Sequence, residues 1–444
     1  MKFKTLIAIT LAAAPTLPMQ AQPEATAPLS LKQCMEHAME RTAQLRIKRA
    51  EADNARINRR EAILAAFTPV VNAGTSAYYN FGRSIDPQTN TYFNTTSFHN
   101  GYEISAGIDL FNGFSAVNNI RIARMGVLMA QSEQQQAEAN VCLAVMEAYY
   151  NVLYYNTLLS IYTEQVGNAE AALKVAQRQE QLGQKGHADV LQMEADLADR
   201  RYDLLNMQHM HADQLMVLSD LMLWPLDQPL AIDTTLPAPP AATSSEGVLD
   251  FAMEHNPALQ RASLSVDRAQ RELSTARWQR LPKVGLYAGW STNYFSYQGI
   301  QTAPFANQLK NNSGEYVQLS LSFPIWGRMQ RQSNVARRRN ALAVANAELD
   351  QTHREVESEV RRALHDRDGA ALALQQAQRK AEVQSQAYAL NQRRLSQGLI
   401  SPIEFQTASN GHLKAQADAA SALFKLLIKQ AVVRYYGGED YINQ

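Results

Sequence analysis

Several features that characterise common protein classes are scarce in this sequence of 444 residues. Its 42 Lys and Arg residues equal its 42 Asp and Glu residues in number, so no basic excess indicates a nucleic-acid partner. Past the N-terminus, no apolar run reaches the roughly 20 residues that a membrane-spanning helix needs. Cys34 and Cys142 both lie in predicted helices, where two small buried side chains are a better explanation than a disulfide.

The residues that usually carry catalysis are absent or dispersed. The nine histidines are scattered, neither cysteine has a histidine at a useful spacing, and there is no Gly-rich phosphate loop and no HExxH motif. We therefore expect no enzyme activity, no catalytic residues, no cofactor and no metal centre. One group suits Cu(I), because thioether and imidazole are its preferred ligands: Met207, His209, Met210 and His211. A solvated helix face with space-filling methionines is the favoured interpretation of that group.

The most informative feature that is present is a stretch that occurs twice. The first copy runs from Ile104 to Asp189 and the second from Leu319 to Glu404, at a constant offset of 215 positions. Each copy opens with a short alternating segment and continues as a long run that contains none of the sixteen prolines. Each copy ends at a glycine followed six positions later by an acid, and these pairs are Gly183/Asp189 and Gly398/Glu404.

Inside each long run, apolar residues recur at steps of four and then three. The first seam extends from Val141 to Ala176 and the second from Val356 to Tyr388, the second interrupted by Arg367 and Gln384. A sustained period of 3.5 predicts helices that pack against other helices along their length. As a helix, the run over 112–183 would be about 105 Å long. A rod of that length projects from any globular domain of this size.

The order of predicted elements divides the chain into two equivalent halves. A helix that begins at a capping box of Ser30 and Gln33 precedes the first hairpin, and polar loops are expected over 82–100 and 295–314. The first predicted repeat spans 22–223 and contains a helix, a β-hairpin (70–110) and a long helical hairpin (112–223). A Pro-rich linker over 224–245 follows. The second predicted repeat spans 246–437 and contains a helix, a β-hairpin (283–325) and a long helical hairpin (327–436), and a tail over 438–444 ends the chain.

The N-terminus has the pattern of a signal peptide over residues 1–21. Lys2 and Lys4 precede an apolar core, and Ala21 ends a small-residue cleavage site. No cysteine follows that site, so we expect no lipid anchor. The pattern predicts export to the periplasm, the outer membrane or the exterior.

The four predicted strands alternate with one apolar face and are about ten residues long, which suits strands of a membrane barrel. We expect Ala106, Ile108, Leu319 and Leu321 to face lipid, and Ser105, Gly107, Ser320 and Ser322 to face water. Aromatic residues edge the apolar face in two girdles, which are Tyr79, Phe81, Tyr102, Trp290 and Tyr294 near one end and Phe111, Phe323 and Trp326 near the other. Four strands do not close a barrel, so other chains must complete it. A secreted coiled-coil scaffold with surface hairpins is the alternative.

The sequence resembles the TolC-like outer membrane efflux proteins. The resemblance rests on LFNG at 110–113, YYNFGRSIDP at 78–87, the two glycine–acid turns and the twofold repeat. It implies a homotrimer in the outer membrane, with a twelve-stranded β-barrel continued by a long α-helical barrel through the periplasm. It also implies an exit duct that works with a periplasmic adaptor and an inner-membrane transporter, either in a tripartite efflux pump or in type I protein secretion.

The two reversals of the long helices form the predicted periplasmic tip, made of Gly183, Gly186, Asp189, Gly398, Ser401, Pro402 and Glu404. Their residue types predict helix capping. By resemblance, Glu404 occupies the position of an acid in the entrance ring, and Asp189 that of an acid that helps hold the tip shut. Thr407, where a second acid is common, and Ile400, where an arginine latch can occur, depart from the family pattern. We expect a closed or narrow tip that the adaptor opens.

A group of arginines follows the fourth strand: Arg328, Arg331, Arg337, Arg338 and Arg339. Contact with the phosphates of the inner leaflet, lining of the upper duct and a solvated helix face are three open interpretations of this group.

Overall fold

The structure is a computed structural model that describes residues 28–85, 90–225, 227–235 and 246–443. The predicted signal peptide, residues 86–87 of the 78–87 segment and residues 226 and 236–245 of the linker lie outside these residues. The first half contains α1 (Leu31–Arg41), α2 (Ala43–Phe67), β1 (Val70–Ile85), β2 (Tyr92–Asn112), α3 (Ser115–Gln181) and α4 (His187–Met222). The second half contains α5 (Val248–His255), α6 (Pro257–Trp278), β3 (Lys283–Tyr297), α7 (Phe305–Asn311), β4 (Gly314–Ser322), α8 (Gln330–Ser396), α9 (Pro402–Tyr436) and a 3₁₀ turn (Tyr441–Asn443).

The boundaries of the long helices support the twofold repeat. Helices α3 and α8 have 67 residues each, and both their first and their last residues differ by 215 positions. The starts of α4 and α9 differ by the same number. Each long helix therefore spans about 100 Å. All the predicted seam positions are buried or half-buried, including Arg367, whose guanidinium lies 2.6 Å from the Asp368 carboxylate.

Two successive residues in the left-handed region connect the sheet to each long helix. They are Gly113 (φ +66°) and Phe114 (φ +59°) before α3, and Arg328 (φ +48°) and Met329 (φ +61°) before α8. This conformation is rare for residues with a side chain, so each junction is a specific turn and not an extension of the helix. It explains why α3 begins at Ser115 and not at the predicted Asn112.

The helix predicted ahead of each hairpin is in fact two helices. The first breaks at Thr42 (ψ 130°), whose hydroxyl donates to the Leu221 carbonyl at 3.2 Å. The second breaks at Asn256, whose side chain caps the Ala258 N–H at 2.8 Å, with Pro257 in the first turn. Helix α6 then ends at Trp278, and β3 begins at Lys283.

The four strands form one antiparallel sheet in the order β1-β2-β3-β4. The expectation of strands of about ten residues is correct only for β4, because β1, β2 and β3 have 16, 21 and 15 residues. Most of the loop predicted over 82–100 is strand. Cross-strand aromatic pairs extend the hairpin through this Asn/Thr-rich segment, as between Tyr79 and Phe98, whose ring centroids are 4.9 Å apart.

The strand register places the predicted apolar positions opposite one another. Ala106 pairs with Val71 and Ala288, and Ala288 pairs in turn with Val317. Directly paired residues share a face, so this face is apolar across all four strands. A bulge between Asp109 and Phe111 shifts the register, and Phe111 thereby pairs with Val284, another apolar-face residue.

The opposite face of the sheet is mostly small and polar. Ser105 pairs there with Asn72 and Gly289. Two tyrosine rings lie close to glycines on this face. A Cβ atom at Gly107 would come within 2.9 Å of the Tyr287 ring, and one at Gly289 within 2.5 Å of the Tyr316 ring.

Helix α7 occupies part of the predicted 295–314 loop and covers a free edge of β3. Strand β4 begins opposite Ser291, so the later residues of β3 have no partner strand on that side within the described chain. The buried Gln308 side chain accepts from the Phe295 N–H at 3.0 Å and donates to the Phe295 carbonyl at 2.9 Å. Its amide therefore replaces the hydrogen bonds of a neighbouring strand.

The largest hydrophobic core lies around the middle of α3, where Val145, Val152 and Leu153 pack with Leu218 of α4 and Phe424 of α9. Among the described helices, none combines the length and the apolar character required to cross a bilayer.

Candidate gate at the helical tip

Both long helices end in the same left-handed glycine motif. Gly183 has φ +75° and donates to the Glu180 carbonyl at 2.8 Å, while the next N–H donates to Gln179 at 2.8 Å. Gly398 has φ +72° and donates to the Leu395 carbonyl at 2.9 Å, and the next N–H donates to Arg394 at 2.9 Å. These are the paired bonds of a Schellman C-cap, which stop each helix at an equivalent residue.

The return helices begin with caps of different completeness. The predicted capping box at Ser401 is confirmed, because the Glu404 N–H donates to the Ser401 Oγ at 3.3 Å and the Ser401 N–H donates to the Glu404 Oε2 at 3.0 Å. Pro402 occupies the first turn. At the other turn Gly186 is the N-cap and has no side chain to accept a bond, although Asp189 lies in the first turn. The Glu404 carboxylate is thus oriented by its own helix start.

The two turns are bonded to each other within one chain. The buried Gln179 amide donates to the carbonyls of Leu395 and Ser396, each at 3.3 Å. The Lys185 ammonium donates to the Ile400 carbonyl at 3.3 Å. The Ile400 carbonyl thus accepts a hydrogen bond from a lysine of the other hairpin.

A small hydrophobic cluster lies directly behind these bonds. It contains residues from all four helices that meet at the tip: Ala172, Ala176, Val190, Met193, Tyr388, Leu395 and Phe405. This cluster and the two polar contacts fix the relative position of the hairpins.

A buried polar network follows further along α4 and α9. The side chains of Asp196 and Arg200 are 7 % and 5 % exposed and lie 3.2 Å apart. Gln406 donates to the Asp196 Oδ1 at 2.9 Å, and Arg200 donates to the Asn410 Oδ1. The sequence reasoning missed this network.

A comparison of the two copies offered a signal for that network. At the offset of 215, Asp196 and Arg200 of the first copy correspond to Gly411 and Ala415 of the second. A charged pair in one copy that is replaced by small residues in the other marks a place where the two helical hairpins differ.

Next to this network, Tyr388 stacks on His412, with ring centroids 5.0 Å apart and planes at 13°. Burial lowers the pKa of His412, and the nearby Glu164 opposes that change. Burial also raises the pKa of Tyr388 to about 12. Both rings are therefore neutral near pH 7.

The four residues whose types suit Cu(I) differ in their surroundings. Met207 packs against the cluster of Leu158, Ile161 and Leu413, while His209 and Met210 are exposed. Within the described residues, no group of three or more His, Cys, Asp or Glu side chains is arranged to hold a metal ion. The packing of Met207 supports the space-filling interpretation.

The first group of predicted girdle residues lies on β1, β2 and β3, whereas Phe323 and Trp326 of the second group follow the end of β4. Tyr102 and Tyr294 both contact Phe305 of α7, at centroid distances of 6.4 and 5.1 Å. Trp290 pairs with the apolar Ile104. Phe98 of β2 pairs with Tyr79 of β1 on one side and with Ser296 of β3 on the other. Of the second group, Phe111 contacts Phe114 at 5.2 Å, while Phe323 and Trp326 are exposed.

With this geometry in hand, comparison with known proteins identifies the family. The sequence matches the profile of the Outer membrane efflux protein family over residues 75–222 and 248–438. The chain belongs to this family. A comparison with curated protein sequences gave no match.

Solved channels have the same fold as this efflux-family chain at low sequence identity. VceC, an outer membrane protein of Vibrio cholerae, gives a TM-score of 0.74 at 14% identity and covers 91% of this chain and 95% of its own. The Campylobacter jejuni outer membrane channel CmeC gives 0.74 at 16% identity, with coverages of 93% and 86%. The MtrE outer membrane channel of Neisseria gonorrhoeae gives 0.71 at 17% identity, with coverages of 93% and 88%.

The predicted TolC-like fold is thus confirmed. The chain is an outer membrane efflux channel protein, mainly helical, and its four strands are one chain's share of a membrane barrel. Its family and fold are those of channel proteins and not those of enzymes.

Proposed function

We propose that three copies of this chain form the outer-membrane exit duct of a tripartite efflux pump that exports small molecules, with a closed periplasmic tip in the resting state. The observation that carries the proposal is an open sheet of four strands with one apolar face, joined to helices about 100 Å long. Unpaired strand edges in lipid are costly, so the edges of β1 and β4 require partner strands from neighbouring copies.

The helical layer supports the same assembly. Helix α6 packs against both α3 and α8, whereas its repeat counterpart α2 packs mainly against α3. The remaining surface of α2 exposes Ile47, Ile57 and Phe67, which are 57 %, 55 % and 71 % exposed. In a ring of equivalent repeats, α2 would lie between its own α3 and the α8 of the next copy, which would cover these side chains.

At the tip, three copies would place three Asp189 and three Glu404 carboxylates around one opening. A narrow acidic ring attracts cations and repels anions. The contacts of Gln179 and Lys185 with the second hairpin support a tip that is closed until a partner rearranges it.

The surface of the tip offers a place for that partner. Leu182, Leu399 and Ile403 are 57 %, 69 % and 64 % exposed beside the two turns. Exposed apolar side chains clustered at one end of a protein suit a protein–protein contact. We assign this contact to a periplasmic adaptor, which links the duct to an inner-membrane transporter.

The substitution Glu404→Gln tests the acidic ring, because it keeps the reach of the side chain to the Ser401 N–H and removes the charge. The purified trimer is reconstituted in planar bilayers, and the permeability ratio of cations to anions is measured. We expect the variant to lose most of its cation preference and its block by multivalent cations. The control is Asp350→Asn, which removes an exposed acid of α8 about 70 Å from the tip.

Unchanged selectivity in Glu404→Gln would restrict Glu404 to helix capping.

The assembly of the duct is tested by fractionating the cell membranes. We expect a heat-modifiable trimer band in the outer-membrane fractions. Cross-linking that yields only monomers and dimers would contradict the assembly.

A further inference from the structure

Positive charge is concentrated at one level of this electrically balanced chain. The segments that flank the periplasmic ends of the strands, 57–69, 113–126, 270–283 and 323–339, contain thirteen Lys and Arg residues but only Glu61 and Glu272 as acids. The whole chain has 42 residues of each sign. The excess of positive over negative residues is therefore local to one layer of the molecule, which we call the basic collar.

Most of the collar is not neutralised by the protein. Arg338 pairs with Glu272 at 2.5 Å, and Arg331 donates to the Pro324 carbonyl at 2.7 Å. Arg277, Arg280 and Arg328 are exposed, and within the described chain none of them has an ion-pair partner. Exposed like charges at one level repel one another, so the arrangement favours an anionic counterpart from outside the protein.

The collar borders exposed aromatic residues at the end of the sheet. Arg277 and Arg280 flank Trp278, which is 38 % exposed, and Arg328 follows Trp326, which is 73 % exposed. Each of these arginines lies within six residues of the end of a strand, a reach of about 20 Å even for extended chain. An aromatic band followed by basic side chains is the arrangement that anchors proteins at the headgroup level of a bilayer.

We propose that the basic collar binds anionic phospholipid headgroups of the leaflet that faces the periplasm. Guanidinium groups match the phosphate geometry, and the adjacent tryptophans lie at the boundary between headgroups and acyl chains. This inference rests on the proposed crossing of the membrane by the sheet, and it is independent of the gate. Bound lipid would fix the height of the duct in the membrane.

The test measures lipid binding by native mass spectrometry of the detergent-solubilised trimer. The trimer is titrated with phosphatidylglycerol and, separately, with phosphatidylcholine of the same acyl chains. The collar variant carries Arg277→Gln, Arg280→Gln and Arg328→Gln, and a charge-preserving variant carries lysine at the same three positions. The matched control carries Arg178→Gln, Arg393→Gln and Arg394→Gln, three exposed arginines near the tip.

We expect the unmodified trimer to bind phosphatidylglycerol at least about tenfold more tightly than phosphatidylcholine. The collar variant should lose on the order of a hundredfold in affinity for phosphatidylglycerol, since each basic residue near an anionic surface contributes about fivefold. The lysine variant and the control should stay within about threefold of the unmodified trimer.

Equal binding of both lipids, retained binding in the collar variant, or an equal loss in the control would overturn the proposal. A changed ion permeability ratio with unchanged lipid affinity would instead place these arginines in the duct. The trimer band and the channel conductance are recorded on the same preparations, so a failure of the duct proposal is recognised separately.

Discussion

The side-chain amide of Gln179 lies 3.3 Å from the main-chain carbonyl of Leu395, and it thereby joins the ends of the two long helices. Gln179→Ala removes this bond and its companion to Ser396. We expect a tip that opens more often, because the turns would then be held together by the Lys185 contact and the hydrophobic cluster without the Gln179 bonds. The measurement is the open probability of single channels in planar bilayers, which should rise severalfold.

Gln181→Ala is the matched control, since Gln181 is an exposed glutamine two residues along the same helix. A variant at Gln179 whose gating equals that of this control would show that the contact is structural and does not hold the tip closed.

The buried pair of Asp196 and Arg200 gives a prediction about stability. Arg200→Met leaves the Asp196 carboxylate buried with Gln406 as its remaining donor, and loss of one partner of a buried pair costs about 3–5 kcal/mol. We expect earlier thermal loss of the trimer and faster proteolysis near the tip. The double variant with Asp196→Asn should recover much of the loss, because no uncompensated charge remains. Additive effects of the two substitutions would contradict this coupling.

The sequence predicted the repeat, the long helices and their reversals well, because period, proline placement and glycine position are local signals. It failed where tertiary contacts decide the structure. The Asn/Thr-rich segment over 92–100 was expected to be loop, yet the pairing of Phe98 with Tyr79 makes it strand. Gln308 was not recognised, because its role depends on how far β4 extends beside β3.

Some of the features that the sequence analysis did not predict have a recognisable sequence signal, and others do not. Asn256 followed by Pro257 is a helix start that indicated the break between α5 and α6. Thr42 breaks the equivalent helix with no such signal, and its hydroxyl finds a carbonyl 179 positions away. At the tip, the caps of Ser401 and Glu404 followed from local spacing, whereas the bond from Gln179 required the relative placement of two hairpins.

Gly113 provides a test of the junction between sheet and helix. Its φ of +66° disfavours a side chain, and a Cβ atom there would lie 2.6 Å from the Trp278 carbonyl oxygen. Gly113→Ala should therefore lower the yield of assembled trimer and destabilise the fold by about 1–3 kcal/mol. Gly126→Ala, in the open interior of α3, is the control and should be neutral or slightly stabilising. Equal behaviour of the two variants would contradict the strained junction.

His412 predicts a dependence of stability on pH. Burial lowers its pKa in the folded chain, so the unfolded chain takes up a proton first as the pH falls through about 6.5. Stability should be fully present above that pH and decrease below it, down to the folded pKa. His412→Phe keeps a ring against Tyr388 and cannot titrate, so its trimer should lose less thermal stability between pH 7.5 and pH 5.5. The half-buried His37 and His211, whose pKa values are also lowered by burial, contribute to the remaining dependence in that variant. An identical decrease in both proteins would exclude His412 as a contributor.

The two faces of the sheet are tested by substitutions at neighbouring positions. Ala106 pairs with Val71 and Ala288 on the apolar face, and Ser105 pairs with Asn72 and Gly289 on the polar face. Arginine facing lipid near the bilayer midplane costs about 2–4 kcal/mol, whereas arginine facing a water-filled lumen remains hydrated. We therefore expect Ala106→Arg to reduce the heat-modifiable trimer in outer membranes strongly. Ser105→Arg should assemble normally and instead change the conductance and ion preference of the channel in planar bilayers. Since the two residues are adjacent in β2, local strand propensity does not account for such a difference. Equal assembly defects in both variants would mean that the apolar face does not contact lipid, and the placement of the sheet in the membrane would then be wrong.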